Sequence, residues 1–168
     1  MTIRAAKGIG KNWFTITRKD GSTSSWNWPP EGGLLPHDLC HYVMEKNFGL
    51  TRGTWGLRSK GMNWNEYHGP GMLQRADEFV RQHVGGDATE LIQAEVLANS
   101  LRQQIMVGKL DTDSVIALIR MSLEGTKYPV PSNLDEATTQ KAILEYEQLK
   151  KLWDGLEERE YLDLEWKD

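Results

Sequence analysis

The stretch Asn12-Trp13-Phe14-Thr15-Ile16-Thr17-Arg18, continued by Lys19-Asp20-Gly21 and then by Ser22-Thr23-Ser24-Ser25-Trp26-Asn27-Trp28, decides the fold class. Aromatic and β-branched residues dominate its first arm, as suits a half-buried strand. Asp20-Gly21 supplies two positions tolerant of positive φ, which a tight hairpin turn needs. In the return arm Trp26 and Trp28 fall on one face and Ser25 and Asn27 on the other, because side chains alternate along a strand. Pro29-Pro30 ends that arm, since proline gives the ladder no donor.

A lone hairpin is marginal in water, so it needs a further partner. Glu160 to Trp166 alternates again, with Leu162, Leu164 and Trp166 on one face and Tyr161, Asp163 and Glu165 on the other. This C-terminal strand is expected to complete a small three-stranded antiparallel sheet with the N-terminal hairpin. Between them the period changes to that of helices. Pro36 suits the start of a helix running to Phe48, and Gly49 its end. Met72 to His83 is amphipathic. Asp87 opens a capping pattern with Glu90 ahead of a helix reaching about Val107. Asp111 or Asp113 caps the next, and a long helix covers about Leu134 to Trp153. The connection from Thr51 to Gly71 is rich in glycine and tryptophan and lacks periodicity. The reading is a single α+β domain over residues 1–168, with about five helices flanking the sheet.

Composition narrows the function classes. The chain has 168 residues, 24 acidic and 20 basic, a net charge of −4. No basic cluster stands out, which argues against a nucleic-acid partner. A single cysteine, Cys40, rules out an internal disulfide and fits a reducing compartment. Neither a secretory h-region nor a membrane-length apolar run is visible, so a cytoplasmic protein without membrane contact is expected. The seven tryptophans read mainly as core anchors, each needing an apolar bed and an N–H partner.

The chemistry-bearing segment is Leu35-Pro36-His37-Asp38-Leu39-Cys40-His41-Tyr42-Val43-Met44-Glu45. Residues four apart share a helix face, so His37 and His41 can present both imidazoles to one divalent metal ion, zinc in the simplest case. Both lie at the edge of an apolar arc made by Leu39, Cys40, Val43, Met44 and Phe48. Asp38 is the expected general base or water-orienting group. Glu45 sits two turns beyond His37, about 12 Å along the axis, too far to join both histidines on a metal. It is better placed to fix the tautomer of His41. A further ligand must come from another segment: His68 is the best local candidate, with Glu66, His83 and Glu95 behind it. The plainer alternative treats these histidines as structural.

His37-Asp38-Leu39-Cys40-His41 resembles the H-E-x-x-H helix of zincin metallopeptidases, in which two histidines bind zinc and the glutamate is general base. Here aspartate stands in the glutamate's place and falls short by one methylene, so the resemblance does not carry peptidase activity over. The chain also resembles a set of short bacterial proteins. The likeness rests on the Thr15–Gly21 hairpin, the Trp-Pro, the L-P-H-D-x-x-H-Y-x-x-E helix and the Gly49–Gly56 stretch. It implies a shared fold and leaves a shared site open, but supplies no activity.

Other constellations fail. Lys7-Gly8-Ile9-Gly10-Lys11 lacks the first glycine and the Ser or Thr of a phosphate-binding loop. Cys40 reads as a buried, inert thiol. Two functions stay open: a metal-dependent hydrolase on His37 and His41, and a non-catalytic interaction module. In the second, the apolar side of the C-terminal helix meets a protein partner or a second copy of the chain.

Overall fold

The computed structural model describes residues 1–63 and 71–167. Its elements in chain order are β1 (Thr2–Ala6), β2 (Asn12–Thr17), β3 (Thr23–Trp28), α1 (His37–Phe48), α2 (Thr54–Ser59), α3 (Met72–Phe79), α4 (Thr89–Met106), α5 (Thr112–Leu123), α6 (Glu136–Asp154) and β4 (Tyr161–Glu165). The α+β class and the small antiparallel sheet flanked by helices stand as read from the sequence. The sheet has one strand more than the hairpin and C-terminal strand supply. Its order is β3-β2-β1-β4, so β1 lies between them, pairing Ile3 with Ile16 on one side and Leu164 on the other.

One face of this sheet is sealed. Ile3, Ala5, Phe14, Ile16 and Trp26 are all buried there, while Thr2, Arg4, Trp13 and Thr17 are exposed on the opposite face. The helices cover the sealed face. Leu39, Cys40, Val43, Met44 and Phe48 of α1 join those sheet residues in one apolar cluster, which α4, α5 and α6 complete through residues such as Leu97, Ile119, Ile143 and Trp153. α1 packs against both α4 and α6. A smaller cluster of Leu57, Met62, Ala76, Phe79, Val80, Ala88 and Leu91 ties α2 and α3 to the start of α4.

Helix ends follow local chemistry. Gly49 takes φ 64° and closes α1, a left-handed conformation that costs glycine little. Asp111 caps α5 and Asp135 caps α6, each accepting the backbone N–H three residues on. The helix begun at Met72 gives way to a π-helical turn over Val80–Val84. At the start of α4, Asp87 accepts the Thr89 N–H.

The expected irregular connection after Gly49 contains α2, a helix held from outside. Glu45 accepts the N–H groups of Thr54 and Trp55 at 3.0 and 2.8 Å, at the N-terminus of α2. At its C-terminal end, Arg18 donates to the Arg58 carbonyl at 2.6 Å, the Met62 carbonyl at 3.3 Å and Asn63 Oδ1 at 2.9 Å. A carboxylate at the N-terminus and a guanidinium at the C-terminus both suit the helix dipole.

Candidate metal centre

α1 buries more than its apolar arc: Asp38, His41 and Glu45 are 6%, 2% and 0% exposed. Buried ionisable groups need partners, and each has them. His41 is flanked by two carboxylates. Its Nδ1 lies 3.1 Å from Glu45 Oε1 and its Nε2 3.4 Å from Glu95 Oε1. Burial alone pushes this imidazole towards the neutral form, but hydrogen bonding and charge from Glu45 and Glu95 prevail and raise its pKa to about 10. Glu95 belongs to α4, beside the apolar stripe of Leu91, Ala94 and Ala98 that faces α1.

His37 stands one turn before His41, with ring centroids 4.6 Å apart in an edge-to-face arrangement. Its Nε2 is buried and has no hydrogen-bond partner. Desolvation and the neighbouring His41 lower its pKa, which favours the neutral form. One ligand atom each from His37, His41 and Glu95 lie within 4.8 Å of one another. In a tetrahedral zinc site with bonds of about 2.1 Å, donors stand about 3.4 Å apart. The His41–Glu95 separation already matches that spacing, and the group is a donor set that can hold a metal ion.

Charge points the same way. Asp38, Glu45 and Glu95 bring three carboxylates to this region, and Arg58, 1% exposed, brings one buried guanidinium. With His41 protonated one negative charge is left over, and a divalent cation that displaces that proton would balance the group.

The structure sorts the residues named from sequence. His37 and His41 come together as a pair. Glu45 stands behind His41, one turn away. Asp38, expected as the base, is turned from the cluster. Its Oδ1 pairs with Arg58 at 3.1 Å and its Oδ2 accepts the Trp26 indole N–H at 2.9 Å. Burial would raise the Asp38 pKa, yet Arg58 and Trp26 hold it below the usual carboxylate value, so both oxygens are engaged and weakly basic. His68 and Glu66 lie outside the described residues. His83 stacks on Phe79 with 4.7 Å between ring centroids and does not join the group. The residue that joins the pair is Glu95, one of the further candidates named. Its signal in the sequence was faint: a carboxylate bordering the apolar stripe of a helix.

Cys40 is buried, its S–H directed at the Leu35 carbonyl at 3.9 Å, and burial pushes its pKa up to about 12. At the mouth of α1, Glu31 accepts the His37 N–H at 3.3 Å and pairs with Arg102 of α4. No helix among the described residues is long and apolar enough to cross a membrane. Comparison of the chain with protein-family models, curated protein sequences and solved structures finds no match.

Proposed function

We propose that this protein binds one divalent metal ion, most simply zinc, through His37, His41 and Glu95, and that the bound ion serves hydrolysis. One observation carries the reading: three donors from two helices lie within 4.8 Å, and the buried Nε2 of His37 has no protein partner. Two imidazoles and a carboxylate form a donor set of catalytic zinc, which leaves a fourth position for water or substrate. Bound there, the ion supplies a Lewis acid and lowers the pKa of a coordinated water to about 7. The Glu95 side chain is 31% exposed, so the site is reached from its side. Asp38, already paired to Arg58, has no part in the proton transfer.

The test is elemental analysis of the purified full-length protein beside His41→Ala and Glu95→Gln, with a panel of chromogenic ester, phosphoester and peptide substrates. About one zinc per chain, lost in both variants, supports the centre. Zinc-dependent turnover of any one substrate supports hydrolysis. A parent that carries no metal and whose melting temperature is unmoved by added zinc refutes the proposal.

A second reading draws on α6, where Leu144 and Leu152 are 48% and 59% exposed, two turns apart. They fit an interaction module that uses this helix against a protein partner or a second copy. Sedimentation of the parent against Leu144→Lys with Leu152→Lys tests self-association.

A further inference from the structure

We infer that Glu45 is the positioning residue of the metal centre, and that α2 sets its position through contact with Gly53; the inference rests on the metal reading above. Glu45 is completely buried, and its carboxylate has three partners. Oε1 faces His41 Nδ1 at 3.1 Å and accepts the Thr54 N–H at 3.0 Å; Oε2 accepts the Trp55 N–H at 2.8 Å. Two of these partners are main-chain groups, which cannot swing away as side chains do. The carboxylate is therefore fixed from α2, whatever occupies the centre.

That placement dictates the imidazole. A carboxylate facing Nδ1 keeps the proton there and directs Nε2 towards Glu95, 3.4 Å away. A ring held in one tautomer and one orientation is an effective metal ligand, and loss of such a partner typically weakens metal affinity about 10–100-fold.

Gly53 supplies the independent observation. Its φ of −75° and ψ of −167° are open to any residue, so backbone freedom does not call for glycine here. Space does. A Cβ at this position would lie 2.5 Å from Glu45 Oε2, 2.6 Å from its Cδ and 3.0 Å from its Cγ. Gly53 thus leaves the volume that the carboxylate fills. Gly53→Ala would push Glu45 off His41 without removing a charge or touching a ligand. Gly56 differs: a Cβ there meets the Thr51 carbonyl oxygen at 2.1 Å, a main-chain clash unrelated to the centre.

The test compares the full-length parent with Gly53→Ala, Glu45→Gln and, as a stability control, Asp135→Ala. Zinc affinity is measured by chelator competition, and the visible spectrum of the cobalt(II) form reports ligand geometry. The expected result is affinity about 10–100-fold lower in Gly53→Ala and Glu45→Gln, with altered cobalt bands. Asp135→Ala should melt earlier in chelator yet keep the parent's affinity and spectrum. Should Gly53→Ala fail to fold, Glu45→Gln decides. Folded variants with the parent's affinity and bands overturn the inference while leaving the metal reading intact. A parent that takes up neither zinc nor cobalt overturns both.

Discussion

The Asp38 carboxylate and the Arg58 guanidinium meet 3.1 Å apart inside the protein. Arg58 also lies over two indoles, its guanidinium carbon 3.9 Å from the Trp26 ring centre and 4.7 Å from that of Trp55. Cation–π contact and the Trp26 hydrogen bond to Asp38 offset part of the desolvation that such a pair incurs. Removing one partner leaves a buried charge uncompensated, which costs about 3–5 kcal/mol. Asp38→Asn should therefore lower unfolding free energy by about 3 kcal/mol in urea titrations, while elemental analysis still finds zinc. A variant of parental stability without hydrolytic activity would restore Asp38 as the base.

Zinc should stabilise the folded chain by mass action. At a free concentration one hundred times the dissociation constant the gain is about 2.7 kcal/mol, or about 5–10 °C in melting temperature for a chain of this size. Imidazoles bind metal only in the neutral form, and His41, its pKa raised to about 10, must give up its proton to do so, so the shift should shrink steadily as pH falls from about 10. His37→Ala should abolish it at every pH. Thermal scans with zinc or chelator read all three outcomes.

The cap of α6 gives a pH signature of its own. Hydrogen bonds from the Thr138 backbone and side chain lower the Asp135 pKa from its ordinary value of 3.8. A group depressed in this way contributes stability above its unfolded pKa and loses it as pH drops through the folded value. Asp135→Ala should thus melt a few degrees below the parent at pH 7. The difference should close once the pH falls well under 3.8. A gap that persists there would show that the cap does not act through its charge.

Phe14 anchors the sealed face of the sheet, fully buried and stacked on Trp26 with 5.6 Å between centroids and 9° between planes. Truncation to alanine leaves a cavity beneath the hairpin and should cost about 3–5 kcal/mol. Denaturant unfolding followed by tryptophan fluorescence checks this. A loss under 1 kcal/mol would mean that the helices close over the gap.

Local signals in the sequence were enough for α1, the hairpin and β4. Each carries its own periodicity and its own stop, such as Gly49 or Pro29-Pro30. For the same reason His37, His41 and Glu45 could be placed together from spacing alone. β1 carries little local signal, because Thr2-Ile3-Arg4-Ala5-Ala6 holds few strand-favouring residues; ladders on both sides stabilise it. Ile3 and Ala5 inward against Thr2 and Arg4 outward is its one trace. α2 carries little local signal, because it is six residues long with Gly56 inside it, while Glu45 and Arg18 stabilise it from distant positions. Glu95 stood unranked among the candidates behind His68, because helix packing, absent from local spacing, brings α4 beside α1. Asp38 illustrates the converse: spacing put it beside the histidines, and tertiary contact with Arg58 turned it away.

The borders of the sheet have a consequence for solubility during folding. β3 forms one border with the polar run Thr23-Ser24-Ser25 and stops at two prolines, and β4 forms the other with Asp163 and Glu165. Short borders interrupted by proline or studded with charge are poor templates for a neighbouring chain. Partly folded copies that collide therefore find little to zip onto, and fibrillar growth from this sheet is suppressed.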